Sequence, residues 1–89
     1  MQTISIIVSG KVQGVFYRQS TKEKATALDI TGTVENLKNG NVYIIATGTA
    51  EQLAALTAWC HQGPSKAVVN KVEVNELPLQ LFERFSIEK

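Results

Sequence analysis

The sequence predicts an α+β fold in which two helices cover one face of an antiparallel-dominated sheet. Three observations lead to this prediction. Segments in which apolar and polar residues alternate, as is typical of strands, occur near both ends and in the middle of the 89-residue chain. Two segments with helical periodicity lie between them. An Asn-Gly pair at positions 39–40 favours a hairpin between the two central strands.

The first strand and the first helix follow from these periodicities. Residues 3–9 alternate and should form a strand. After a loop over Gly10–Tyr17, residues 18–30 should form a helix that begins with a capping box of Ser20 and Glu23. The side chains expected on the apolar faces are Ile4, Ile6 and Val8 in the strand and Thr21, Ala25 and Leu28 in the helix.

The central hairpin is predicted from its turn. Strands over residues 32–38 and 41–48 should pair through Asn39-Gly40. We expect a two-residue turn in which both residues have positive φ, because such turns match the twist of the strands.

The second helix is predicted over residues 50–62. Thr49 and Gln52 have the spacing of a capping box, and Gly63-Pro64 should end the helix. Its apolar stripe consists of Leu53, Leu56 and Cys60.

Two further strands are predicted after this helix, over residues 66–75 and 81–87, with a break at Leu77-Pro78. Alternation places Val68, Val72 and Val74 on one face of the first of them, and Phe85 and Ile87 inward on the second.

The predicted order is therefore βαββαβ plus a short terminal strand, which is the ferredoxin-like split βαβ sandwich. We expect residues 1–89 to form a single domain, because a chain of this length supports only one core. This fold has many functions, so it does not by itself indicate one.

Composition excludes several kinds of site. The chain has one Cys, one His and one Asp, namely Cys60, His61 and Asp29, too few for a Cys/His zinc site, a disulfide or a clustered-Asp calcium loop. A net charge of +1 argues against nucleic-acid binding. No apolar run is long enough to span a membrane, and the alternating N-terminus does not resemble a signal peptide. We therefore expect a cytoplasmic protein. We also expect it to act as a monomer.

The segment Gly10–Arg18 is the most informative part of the sequence. It leads from a predicted strand into a predicted helix, where glycines let the backbone turn its N–H groups inward to bind an anion. Arg18 adds a guanidinium that suits phosphate oxygens. The segment has neither the P-loop nor the dinucleotide-binding pattern. Without further information, a plain connecting loop with a surface Arg is equally compatible with these residues.

Gly10–Arg18 resembles the acylphosphatase signature G-x-V-x-G-V-x-[FY]-R. The segment Gly32–Leu37 followed by Asn39-Gly40 is similar to the second motif of that family, G-x-V-x-N, and its hairpin. The two motifs lie at the expected separation, and the resemblance covers nearly the whole chain. Thr33 and Tyr17 depart from the commoner family residues, Trp and Phe.

The resemblance implies an enzyme that hydrolyses the carboxyl–phosphate bond of small acyl phosphates. It implies two catalytic residues, Arg18 for the phosphate and Asn36 for the attacking water. The residues expected to bind the substrate phosphate are Gln13, Gly14, Val15, Phe16, Tyr17 and Arg18, with Gly10, Lys11 and Thr21 in supporting positions. We expect no metal or other cofactor, because a carboxylate is a good leaving group and Arg18 with the loop amides can supply the positive charge. Inorganic phosphate or another anion should bind as product or inhibitor.

Simpler interpretations remain open at this stage. Asn36 could be a strand residue that hydrogen-bonds a neighbouring backbone group. Phe16 and Tyr17 are expected to pack at the base of the loop, and the alternative is that they contact the acyl group. The main alternative function is a non-catalytic acyl-phosphate or anion-binding module of the same fold, such as a fragment of a carbamoyl-transfer protein.

Overall fold

A computed structural model describes residues 1–88 as two helices and five strands. The elements in chain order are β1 (Gln2–Lys11), α1 (Tyr17–Ala27), β2 (Thr31–Asn36), β3 (Val42–Gly48), α2 (Ala50–Cys60), β4 (Val68–Leu77) and β5 (Phe85–Ile87). Within these residues, no helix is long and apolar enough to cross a membrane.

The strands form one sheet in the order β4-β1-β3-β2-β5. All neighbours are antiparallel except β2 and β5, which run parallel. Both helices pack on one face of this sheet, so the predicted ferredoxin-like fold is confirmed. Helix α1 packs against both β2 and β5, and the last residues of these strands, Asn36 and Ile87, lie beside the loop that precedes α1.

The core lies between the sheet and the helices. The predicted inward side chains of β1 are buried there. The helices contribute Tyr17, Thr21 and Ala25 from α1 and Leu53, Leu56 and Cys60 from α2, while Leu28 is only half-buried.

The two helices begin differently. The capping box of α2 is confirmed: the Gln52 backbone N–H donates to Thr49 Oγ1 over 3.2 Å, and the Thr49 N–H donates to Gln52 Oε1 over 2.8 Å. The capping box predicted for Ser20 and Glu23 is wrong. Helix α1 begins at Tyr17, its N-cap is Phe16, and no side chain in the described part of the chain caps it. The first amides of α1 therefore lack side-chain acceptors.

The hairpin between β2 and β3 is confirmed, but the predicted two-residue turn is wrong. Gly40 has φ 94°, whereas Asn39 is not among the residues with positive φ. The Leu37 N–H donates to the Asn41 carbonyl over 2.9 Å, which leaves three residues in the loop. The Asn39 side chain stabilises the turn by accepting from the Asn41 N–H over 3.0 Å. A single left-handed glycine is what a three-residue hairpin requires.

A β-bulge changes which valines of β4 face the core. Ser9 pairs with Lys71 and Gly10 pairs with Val69, so Asn70 has no partner on β1. The bulge reverses the alternation, and Val69 packs against the core while Val68 is exposed. The predicted shared face of Val68 and Val72 is therefore wrong, because simple alternation does not anticipate an extra residue.

The terminal strand is shorter than predicted, because β4 and β5 lie at opposite edges of the sheet. Residues 78–84 must cross the sheet before β5 can start at Phe85. The Gln80 N–H donates to Thr3 Oγ1 over 2.9 Å, and the Gln80 carbonyl accepts from Thr47 Oγ1 over 2.7 Å. Strand alternation puts these threonines on the helix-free face, so the crossing runs there.

Gly63 allows the two helices to approach each other after α2. It has φ 65°, and its N–H donates to the Trp59 carbonyl over 2.8 Å, as in an αL helix end. A Cβ at this position would lie 2.6 Å from Cε2 of the buried Tyr17 ring. Gly63 is thus required by its backbone conformation and by the position of Tyr17.

We expect Gly63→Ala to lower the free energy of unfolding by about 2–4 kcal/mol, as left-handed strain and overpacking add together. The measurement is urea unfolding followed by far-UV circular dichroism. Gly40→Ala is the matched control, because Gly40 also has positive φ but a Cβ there would meet nothing within 4 Å. The control should lose only about 1–2 kcal/mol, and equal losses in the two variants would contradict the role given to Tyr17.

Candidate active site

A surface cleft of about 420 Å³ lies where the loop before α1 meets the ends of β2 and β5. Its lining residues are Val12, Gly14, Phe16, Tyr17, Arg18, Gln19, Asn36 and Ile87. The cleft therefore brings together the two residues predicted from separate motifs, Arg18 and Asn36.

The loop over residues 12–16 curls through two left-handed residues and leaves its amides without protein partners in residues 1–88. Gly14 has φ 73° and Phe16 has φ 64°, so two left-handed residues flank Val15. Val12 and Val15 are buried and hold the loop against the core. Within residues 1–88, the amides of residues 13–16 donate to no protein acceptor. Such a curled run of free N–H groups at a helix N-terminus is suited to binding an anion.

Tyr17 fixes the start of α1 to α2. Its ring is buried, its hydroxyl donates to the Cys60 carbonyl over 2.8 Å, and its centroid lies 5.5 Å from that of Trp59. Burial raises the pKa of the Tyr17 hydroxyl well above its usual value, so the group stays neutral. Thr21 Oγ1 donates to the Tyr17 carbonyl over 2.7 Å. The prediction that Tyr17 packs at the base of the loop is confirmed.

The same prediction is wrong for Phe16, whose side chain is 76% exposed and lines the cleft. The left-handed backbone at Phe16 sends its side chain outward, while the next residue, Tyr17, points into the core. Alternation between consecutive residues could not show which of the two aromatic side chains would be buried.

Arg18, in the first turn of α1, is half-buried and lines the cleft. Within residues 1–88 its guanidinium makes no ion pair; the one ion pair there joins Lys71 to Glu73 on exposed β4. An Arg without a carboxylate partner keeps its donors available for an anion.

Asn36 is the last residue of β2, and its side chain lines the same cleft. Its Oδ1 is buried and has no hydrogen-bond partner in the described structure. The simpler interpretation, in which this oxygen accepts from a neighbouring backbone group, is therefore not supported. A buried acceptor without a partner is unfavourable, and such atoms in folded proteins call for an explanation such as a bound water or a functional role.

Gln13 joins the loop to the hairpin that follows Asn36. Its Nε2 donates to the carbonyls of Leu37 over 2.8 Å and of Asn41 over 2.9 Å. Gln13 and Val15 do not line the cleft, so any contribution of theirs to anion binding comes through backbone amides. Through these two hydrogen bonds, the Gln13 side chain holds the loop over residues 12–16 next to the end of β2.

The three residues predicted in supporting positions lie outside the lining of the cleft. A Cβ at Gly10 would overlap the Val68 carbonyl, so this glycine is needed for close pairing with β4. Lys11 is exposed at the end of β1, and Thr21 is buried beneath the loop.

Neither of the scarce reactive residues belongs to the cleft. Cys60 is buried in the core as predicted, and burial raises the pKa of its thiol to about 12. His61 is exposed at the end of α2. Residues 1–88 also contain no group of three or more His, Cys, Asp or Glu that could hold a metal ion.

Sequence reasoning missed three lining residues, Val12, Gln19 and Ile87. Gln19 follows Arg18 directly and could have been included from the helix start alone. Ile87 reaches the cleft because Val34 pairs with it in parallel, two residues before Asn36. The sequence contains no local signal for that long-range pairing.

The chain is similar to known acylphosphatases along most of its length. A family model described as "Acylphosphatase" matches residues 4–87. The chain is 56% identical over 73 residues to a protein named acylphosphatase from Marinobacter nauticus, covering 82% of this chain and 79% of that protein. It is similar to the structure of an acylphosphatase from Coxiella burnetii, with a TM-score of 0.95, 39% identity and coverage of 98% and 92% of the two chains. The acylphosphatase structure from Bacillus subtilis gives a TM-score of 0.97 at 32% identity, with 100% of both chains covered.

We expect Gln13→Leu to lower the free energy of unfolding by about 1–3 kcal/mol, since two hydrogen bonds are lost while the side-chain volume is nearly kept. The loss is limited because each carbonyl keeps another donor within the hairpin. The Gly40 N–H donates to the Leu37 carbonyl, and the Leu37 N–H donates to the Asn41 carbonyl. Urea unfolding is the measurement. In the control Gln19→Leu, only an exposed contact to Glu23 is removed, and the change should stay within about 0.5 kcal/mol. A Gln13→Leu variant as stable as this control would contradict the proposed link.

Proposed function

Because the chain belongs to the acylphosphatase family, we propose that it hydrolyses the carboxyl–phosphate bond of small acyl phosphates, releasing a carboxylate and inorganic phosphate. The family predicted from the two sequence motifs is thereby confirmed. The roles of individual residues in this reaction are part of the proposal.

One observation carries the proposal: Asn36 lines the same cleft as Arg18, and within residues 1–88 its buried Oδ1 has no hydrogen-bond partner and the Arg18 guanidinium has no ion-pair partner. The first group is an acceptor suited to holding a water molecule, and the second is a donor suited to a phosphoryl group. Hydrolysis of a phosphate bond needs both at neighbouring positions.

In the proposed mechanism, the loop amides and Arg18 bind the phosphoryl oxygens. The amides of residues 13–16 donate to no other protein group in residues 1–88, so binding an anion breaks no existing hydrogen bond. Phosphoryl transfer passes through a loose transition state, in which charge is spread over the equatorial oxygens. Donors fixed before the reaction stabilise that charge without reorganising.

Asn36 orients the attacking water. Its Oδ1 accepts a hydrogen bond from the water, which leaves a lone pair of the water oxygen free to attack phosphorus. A neutral amide suits this position, because a carboxylate there would repel the phosphate dianion. As the phosphorus–oxygen bond to the acyl group breaks, the electrons of that bond leave with the carboxylate. The departing carboxylate therefore needs no proton, and both protons of the attacking water remain on the inorganic phosphate that forms.

We further propose that the enzyme acts as a cytoplasmic monomer without a metal ion. A buried thiol at Cys60 with no disulfide partner is compatible with a reducing compartment. Arg18 and the free loop amides supply positive charge of the kind that a metal would otherwise provide.

The central test compares two substitutions using benzoyl phosphate as the substrate. Asn36→Ala should lower kcat by a factor of about 10² or more while affinity for inorganic phosphate is largely kept, because only the water loses its orientation. Arg18→Ala should weaken both turnover and phosphate binding, because the phosphoryl group loses its charged donor. Steady-state kinetics and competitive inhibition by phosphate give both quantities.

Two matched variants control this test. Arg84→Ala removes the other arginine, which is exposed, and Asn75→Ala removes an exposed strand asparagine of β4; both should retain wild-type kinetics. Asn36→Ala should unfold at the same or a higher urea concentration than the wild type, because it removes an unpaired buried oxygen. Equal losses of phosphate affinity in Asn36→Ala and Arg18→Ala would refute the division of roles. A wild-type protein that binds phosphate but hydrolyses no acyl phosphate would support the binding-module alternative.

Removal of metal ions tests the metal-free mechanism. Turnover of benzoyl phosphate should be unchanged after treatment with EDTA and transfer to metal-free buffer, because no step in the mechanism requires a divalent ion. Activity that disappears on chelation and returns with Mg²⁺ would sink this part of the proposal.

A further inference from the structure

Phe16 is an unusual residue for its position. Six large apolar side chains are exposed in residues 1–88, and Phe16, at 76% exposure, is the only aromatic one among them. It is also the only one of the six that lines the cleft. The others, Met1, Val68, Val74, Leu79 and Leu81, lie elsewhere on the surface.

The backbone conformation of Phe16 is also unusual for a residue with a bulky side chain. With φ 64° and ψ 22°, it adopts the left-handed conformation that glycine reaches most easily and that is uncommon for a bulky side chain. Its ring makes little compensating contact with the core, as its exposure shows. A strained residue with an exposed apolar side chain adds nothing evident to stability, and such strain is typical of functional sites.

The cleft has apolar walls beside its polar groups. Val12 and Ile87 line it together with Phe16, while Arg18 and Asn36 provide the polar groups. An acyl phosphate has the same two parts, a charged phosphoryl group and an organic acyl group joined through one oxygen. With the phosphoryl group held by Arg18 and the loop amides, the acyl group must lie within a few bond lengths of residues in the same cleft.

We propose that the side chain of Phe16, together with Ile87, binds the acyl group and favours aromatic and branched apolar acyl phosphates over acetyl or carbamoyl phosphate. This inference rests on the proposed function, since it concerns the same cleft and reaction. Phe16 acts by contact with the acyl group: an aromatic ring stacks favourably on another ring and excludes water from an apolar chain. The backbone amide of residue 16 stays in the loop over residues 12–16 when the side chain is replaced.

The test is the ratio of kcat/KM for benzoyl phosphate to kcat/KM for acetyl phosphate. In Phe16→Ala this ratio should fall about tenfold, as expected for loss of an aromatic contact and partial apolar burial. Phe16→Leu should give an intermediate ratio, because an apolar contact remains without stacking. Leu81→Ala, which removes an exposed apolar side chain away from the cleft, should keep the wild-type ratio. An unchanged ratio in Phe16→Ala would refute the inference, whether or not both rates fall.

Binding of phosphonates separates this inference from the proposed function. Benzylphosphonate and methylphosphonate cannot be hydrolysed at a carboxyl–phosphate bond, and their affinities are measurable by calorimetry. The wild type should bind benzylphosphonate more tightly, and Phe16→Ala should remove that preference. If this pattern is found but no acyl phosphate is hydrolysed, the proposed reaction fails and the apolar subsite stands. If the wild type hydrolyses acyl phosphates but binds both phosphonates equally, the apolar subsite is refuted and the proposed reaction stands. If it neither hydrolyses acyl phosphates nor prefers one phosphonate, both proposals are refuted.

A stability measurement provides a second criterion. Phe16→Gly should unfold at a higher urea concentration than Phe16→Ala, because glycine takes the left-handed conformation without strain. Phe16→Gly should nevertheless show the low substrate ratio of Phe16→Ala. If instead Phe16→Gly were less stable than the wild type by the amount expected for a buried Phe, the side chain would be a packing residue and the inference would be overturned.

Discussion

The left-handed backbone at Gly14 and Phe16 is the constraint on which the cleft depends. Below this backbone Val12, Val15 and Tyr17 are buried, and within residues 1–88 the amides of residues 13–16 donate to no protein acceptor. The loop is therefore held in shape by apolar burial and by side-chain hydrogen bonds from Gln13 and Tyr17. Because its own amides do not maintain the shape, they remain free for a ligand.

Several unfavourable features are concentrated in this one cleft. Among the residues that the structure describes, the loop amides have no protein acceptor and Asn36 Oδ1 has no donor, while Phe16 combines backbone strain with an exposed ring. Features of this kind cost about 1–3 kcal/mol each, in domains whose whole stability is commonly about 5–15 kcal/mol. Elsewhere the chain follows the rules of stable folds, with a complete capping box on α2 and glycines at tight backbone approaches. When several features that oppose stability occur together in one cleft, they indicate that the cleft has a function.

The sequence predicted what depends on local pattern. Alternation and helical periodicity gave every element of the fold, and the paired motifs placed Arg18 and Asn36, which do line one cleft. It failed where a distant partner decides the outcome. The bulge at Asn70 exchanged Val68 for Val69, and the segment that crosses the sheet shortened the last strand. The buried Tyr17 has its hydrogen-bond acceptor on α2, more than forty residues away along the chain. The unpartnered oxygen of Asn36 is likewise a property of packing, because sequence shows a polar residue but not whether its atoms find partners.

The choice of residues also separates the pH dependence of the site from that of the fold. The primary amide of Asn36 and the backbone N–H groups of the loop neither gain nor lose a proton in the range in which enzymes work. The groups that titrate with shifted pKa in the core are the hydroxyl of Tyr17 and the thiol of Cys60, both raised by burial. Because the pKa of the Cys60 thiol is raised in the folded state, the unfolded chain loses this proton at a lower pH than the folded protein does. The contribution of the neutral thiol to stability is therefore complete below pH 9.0. It is lost progressively as the pH rises towards the pKa of the thiol in the folded protein, about 12. Tyr17 acts in the same direction from pH 10.0 upward. Since Tyr17 anchors the start of α1, alkaline loss of activity would arise from release of the loop rather than from chemistry in the cleft.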